Sequence, residues 1–169
     1  MKKNTRVLVT AALFAALICV ATMVVKIPSP LKGYINLGDC MVLLSGWLLP
    51  PAFSFLAAGI GSALADVFLA YAIYAPATLV IKAVFALIAA LVARSLRSLP
   101  AGFGRLLGGL LGGIFMALGY FAYEALALGY GIGAAANIPA SLLQAALGIA
   151  VSLPLTALVE KTRAKHIFQ

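Results

Sequence analysis

Charge is what this chain has least of. Acidic and basic residues make up 9% of its 169 residues, where a soluble domain carries about 25%. Such a chain cannot cover itself with polar surface, which excludes a water-soluble fold. Only four acids occur, and three of them, Asp39, Asp66 and Glu124, lie in or at the edge of apolar stretches. The two cysteines, Cys19 and Cys40, show no metal-ligand spacing and read as buried thiols. No Walker phosphate loop, metal triad or nucleophile–base pair is present, so nothing marks an ATPase or an enzyme. Alternation with period two is missing as well, which argues against a membrane barrel.

What the chain does have is apolar length. It is 64% hydrophobic, with a mean hydropathy of +1.14. Its apolar runs predict an all-α integral membrane protein of one domain with six transmembrane helices, at about 6–26, 37–50, 52–75, 76–94, 105–128 and 137–160. The first apolar run, 7–25, is longer than the 7–15 residues usual in a signal peptide and reads as a span. The second is short: residues 37–50 reach about 21 Å, less than a core of about 30 Å. It must start earlier, or sit where the bilayer is thin or protein lines it.

The net charge of +8 invites a nucleic-acid reading, and the placement of the bases refutes it. Lys2, Lys3 and Arg6 precede the first span. Arg94, Arg97 and Arg105 share one loop, and Lys161, Arg163 and Lys165 follow the last span. Only Lys26 and Lys32 fall on the other side. This asymmetry predicts that both termini are cytoplasmic.

Residues 26–38 read as a loop, broken by Pro28 and Pro30. Asp39 then stands where a helix N-cap would, and a capping carboxylate can also face a cavity. Gly59, Ala63, Asp66 and Ala70 share one face of the third span, which suits packing on protein rather than lipid. Lys82 either snorkels to the surface or meets an acid; Asp66 is the expected partner, across the turn that carries Tyr71, Tyr74 and Pro76. In the fifth span, Gly108/Gly112 and Gly109/Gly113 predict close helix packing. Tyr120 and Tyr123 read as belt or site residues, beside Glu124. Residues 129–136 read as a small flexible loop. Asn137, Ser141, Gln144 and Gly148 form a stripe on the last span, for interhelical bonding or for a ligand. Ala11, Ala12, Ala15 and Ala16 give two small-xxx-small pairs in the first span, for internal packing or for another subunit.

With that topology, every membrane-level polar group falls in the outer half: Asp39, Asp66, Tyr71, Lys82, Glu124, Asn137 and Gln144. Scattered structural residues would not sort in this way, whereas one outward-facing polar cavity would. No polar path continues inward, as a lone channel or carrier requires. The chain therefore captures a solute without an engine of its own.

Three ordered strings go further. They are Gly33-Tyr34-Ile35-Asn36-Leu37-Gly38-Asp39, Gly61-Ser62-Ala63-Leu64-Ala65-Asp66 and Tyr74-Ala75-Pro76-Ala77-Thr78-Leu79-Val80-Ile81-Lys82. With them the chain resembles a substrate-binding S component of energy-coupling factor (ECF) transporters, of the riboflavin-type or hydroxymethylpyrimidine/pyridoxine-type group. The resemblance implies a six-helix S-component fold and high-affinity vitamin capture near the outer face of the cell membrane. It also implies docking on a transmembrane coupling subunit with two ATPases, and tipping of the S component in the membrane to release its load. ATP would be used by those partners, with no cofactor in this chain. It implies further that Ala11, Ala12, Ala15 and Ala16 face the coupling subunit. The expected binding residues are Asn36, Asp39, Asp66, Tyr71, Tyr74, Lys82, Tyr123, Glu124, Asn137 and Gln144. Their chemistry suits a flat, hydroxyl-bearing heteroaromatic: pyridoxine or hydroxymethylpyrimidine first, riboflavin second. An autonomous channel or facilitator and a membrane enzyme using Asp39, Asp66 or Glu124 are the competing functions.

Overall fold

The computed structural model describes residues 3–28, 34–100 and 102–162. Pro30, Lys32, Gly33, Arg163, Lys165 and Lys2 therefore lie outside the described residues. Helix α1 spans Lys3–Val24, α2 Gly38–Leu48, α3 Pro51–Phe68, α4 Ala75–Ser95, α5 Phe103–Ala122 and α6 Ile138–Lys161. Among the described residues, five helices are long and apolar enough to cross a membrane, and α2 is a shorter apolar helix. The chain is thus a multi-pass helical membrane protein.

Helix directions follow from which residues touch. A Cβ on Gly112 would strike Phe85 and one on Gly119 would meet Ile81, so α5 runs antiparallel to α4. Gly109 lies against Ile149 and Gly113 against Ala145, so α5 is antiparallel to α6 too. The two glycine pairs of α5 therefore serve two different neighbours, which is why both occur. Glycine removes the Cβ that would hold the backbones apart. Gly59 of α3 meets Leu79 and Ala83 of α4 in the same manner. Starts of α2, α4 and α6 and ends of α3 and α5 consequently gather at one end of the bundle.

The short second helix is lined by protein. All of α2 except Met41 is buried, and Val42, Leu43 and Leu49 have no exposure at all. With Ile18, Phe85, Met116 and Ile149, its residues Val42, Leu43 and Trp47 form the apolar core. Its other flank packs through Leu44 and Leu48 on Ala11, Phe14 and Ala57. Large apolar side chains such as Leu8, Leu13, Val20, Leu56, Val80 and Leu118 point outward, as lipid-facing residues do.

Four expectations need correction. Residues 26–38 are not only loop: Lys26–Pro28 (β1) and Tyr34–Asn36 (β2) pair antiparallel, with Lys26 opposite Asn36 and Ile27 opposite Ile35. Two-stranded pairing satisfies backbone groups that prolines keep out of a helix. Second, the third helix ends at Phe68, well short of residue 75. Ala70 adopts φ 63° and turns the chain toward α4. Third, residues 129–136 are ordered largely as a 3-10 helix, Gly131–Asn137. Fourth, α5 passes into a wider π-helical turn, Tyr123–Ala127, rather than running straight to 128.

Candidate functional site: a buried polar cavity at one end of the bundle

The polar cluster starts at the amino end of α2. Asp39 is not its N-cap: Leu37 holds that position, without a side-chain cap. The capping bond comes from Asn36, whose Oδ1 accepts from Gly38 N at 2.9 Å. Gly38 leaves no room for a Cβ against Thr22. Asp39 lies within the first helical turn, where the helix dipole favours a carboxylate.

Lys82 forms an ion pair with Asp39, and the two side chains are 3% and 1% exposed. This corrects the expected Lys82–Asp66 pair. Asp66 sits on an adjacent antiparallel helix but at a different depth. The buried start of α2, by contrast, brings Asp39 to the level of Lys82. Burial also excludes snorkelling. The ammonium lies 3.0 Å from Met116 Sδ and 5.7 Å from the Tyr120 ring centre, a cation–π contact. The second oxygen of Asp39 accepts from Gln144 Nε2 at 2.7 Å. Gln144 Oε1 in turn accepts from Asn36 N at 2.9 Å and Asn36 Nδ2 at 3.3 Å. One amide thus ties β2, α2 and α6 together.

Two further carboxyls stand apart from this pair. Asp66 Oδ1 accepts from Tyr34 OH at 2.6 Å. Burial, and then the charge of Asp66, push the Tyr34 phenol far above its ordinary range, so it remains a donor. Glu124 Oε1 accepts from Asn137 Nδ2 at 2.8 Å and from Tyr74 OH at 3.2 Å. Glu124 lies in the π-helical turn and is buried; such turns recur at functional sites because they re-aim a side chain.

A cavity lies between these groups. Of the expected residues, Asn36, Asp66, Tyr71 and Tyr74 line it, as do Lys82, Glu124, Asn137 and Gln144. Asp39 lies behind Lys82 and Gln144. Tyr123 is likewise not part of the lining; its hydroxyl donates to the backbone carbonyl of Ile73. Its ring closes a row of tyrosines. Ring centres are 4.9 Å apart for Tyr34–Tyr71, 6.4 Å for Tyr71–Tyr74 and 5.9 Å for Tyr74–Tyr123. Sequence reasoning missed Tyr34, Thr22, Ser62 and Thr78 as lining residues, and left open Tyr120, read as belt or site, and Ser141, read as part of the α6 stripe, both of which line the cavity. Ser62 and Thr78 stand one turn before Asp66 and Lys82, a spacing that would have found them. Nothing in the sequence singles out Thr22.

The four alanines of α1 divide. Ala11 is buried in the core contact with Phe14 and Leu44. Ala15 presents its backbone to Gly61 of α3. Ala12 and Ala16 are exposed. Only the second pair is open to another subunit.

Comparison with known proteins decides the family. A family model described as "ECF-type riboflavin transporter, S component" matches residues 2–161. The chain belongs to the ECF transporter S-component family. An S component is a transport subunit for vitamin uptake, not an enzyme, and it associates with an energy-coupling module. An "Uncharacterized protein in gap 3'region" from Pyrococcus woesei is 39% identical over 146 residues, which cover 85% of this chain and 95% of that protein. Aromatic faces pack a flat ring while the polar groups fix its orientation.

Proposed function

We propose that this S component captures a single-ring, hydroxyl-bearing heteroaromatic vitamin or precursor, pyridoxine or hydroxymethylpyrimidine, in the cavity between Asp66, Lys82 and Glu124. The observation that carries this reading is the chemistry of the cavity lining. A row of tyrosines flanks the cavity, and its walls present carboxyl, amide and hydroxyl groups that suit ring substituents. Riboflavin is the second reading, favoured by the name of the matching family model.

The mouth faces the cell exterior in this reading, with both termini in the cytoplasm. Support comes from Arg94, Arg97 and Arg105, which flank the α4–α5 connection at the end of the bundle opposite the cavity. Ala12 and Ala16 contact the transmembrane coupling subunit, and two ATPase subunits supply the ATP hydrolysis. This chain carries no cofactor of its own.

Titration calorimetry of the purified chain against a vitamin panel tests the proposal. Pyridoxine or hydroxymethylpyrimidine should bind tightest. Binding of a lipid or a metal ion, with no vitamin bound, would end it.

A further inference from the structure

The cavity wall and the layer behind it hold three acids and one lysine. Asp39, Asp66 and Glu124 are 1%, 4% and 2% exposed. Lys82 is paired with Asp39. Neither Asp66 nor Glu124 forms an ion pair among the described residues. Each accepts hydrogen bonds on one oxygen only. The other oxygen, Oδ2 of Asp66 or Oε2 of Glu124, is buried and has no hydrogen-bond partner. Both side chains line the same cavity.

Most neighbouring donors are already engaged, and Thr78, which accepts from Tyr120 OH at 3.1 Å and stands beside Asp66, offers a hydroxyl but no charge. Tyr34 OH donates to Asp66; Tyr74 OH and Asn137 Nδ2 donate to Glu124; Gln144 Nε2 donates to Asp39. A desolvated carboxylate without a counter-charge is costly in apolar surroundings.

We infer that the cavity selects a ligand carrying positive charge on nitrogen, whose N–H groups donate to Asp66 or Glu124, over a neutral molecule of the same shape. The inference deepens the single-ring reading above and rests on it. A ligand without an ammonium leaves both acids without that partner, while a protonated amine gives one of them a charge-assisted hydrogen bond.

Pyridoxamine and pyridoxine form a matched pair of probes: the same ring, with an ammonium in place of one hydroxyl. The two are titrated calorimetrically into the purified full chain at neutral pH, beside thiamin and riboflavin. Pyridoxamine is expected to bind at least about tenfold tighter than pyridoxine. That preference should fall to about twofold or less in Asp66→Asn or in Glu124→Gln, with folding checked by thermal unfolding. The wild-type comparison needs no variant and stands by itself. Equal affinities, or tighter pyridoxine, overturn the inference and leave the single-ring reading in place. Thiamin binding, with neither single ring bound, overturns both, because the charged thiazolium nitrogen carries no N–H to donate. Riboflavin alone, or no binding by any of the four, overturns both.

Discussion

An ammonium and a carboxylate buried as deeply as Lys82 and Asp39 are tolerable only together. Separating them leaves a charge without solvent or partner. Lys82→Met should therefore destabilise the protein by about 3–5 kcal/mol and weaken vitamin binding, because Asp39 is stranded. Removing both charges, Lys82→Met with Asp39→Leu, should recover much of the stability, since no bare charge remains. Thermal unfolding of the single and double variants separates these outcomes. An unchanged melting temperature and affinity in Lys82→Met would show that the pair contributes nothing. At this scale the sequence left Lys82 to snorkel or to meet an acid, with Asp66 as the expected partner, and the structure gives Asp39. Asp66 is nearer by helix order; Asp39 is nearer in depth, because α2 begins inside the bundle.

At the scale of the element, α2 is held at both ends by α4. Lys82 takes its amino end. Twelve residues on, about 18 Å along the axis, Arg94 takes the other end. Its guanidinium donates to Gly46 O at 3.1 Å and to Leu49 O, as well as to Ala90 O of its own helix at 2.8 Å. From Asp39 to Leu49 is about 15 Å at helical rise, so the two parallel helices match. An acid in the first turn and a guanidinium at the last carbonyls also complement the dipole of α2. Arg94→Met should cost about 1.5–3 kcal/mol, the range for hydrogen bonds to a charged donor. It should speed hydrogen exchange at the carboxyl end of α2. Arg94→Lys should restore only part of this, because a single ammonium lacks the fork that reaches separate carbonyls. Exchange rates in α2 equal to wild type in Arg94→Met would mean that the apolar core alone fixes the helix.

At the scale of the whole molecule, α1 divides its small residues between two tasks. Ala11 and Ala15 let α1 approach its own bundle. Ala12 and Ala16 leave a shallow outward strip. Replacing Ala12 and Ala16 with leucine should preserve vitamin binding and abolish uptake by the assembled transporter, through steric block of a close helix contact. Ala11→Leu should instead overpack the core and cost about 1–3 kcal/mol. Calorimetry and vesicle uptake on the same variants measure both properties. Loss of binding together with uptake in the Ala12/Ala16 variant would place that strip inside the fold.

Composition alone required a membrane protein, because a chain with so little charge has no other solvent to fold in. Periodicity along single helices brought out the Asn137–Ser141–Gln144–Gly148 stripe and the doubled glycine pairs. Each such pattern lies within one helix and can be read by counting. The strings around Asp39, Asp66 and Lys82 already marked where the cavity would form. Partnership between helices was beyond that reach. Whether Lys82 meets Asp39 or Asp66, whether Asn36 or Asp39 caps α2, and which alanines of α1 stay outside depend on depth and rotation. Those are set by close contacts such as Gly112 on Phe85 and Gly148 on Asp39, and by a paired segment that lays Tyr34 over Asp66. Such contacts join residues far apart in the chain, so only the tertiary structure decided them.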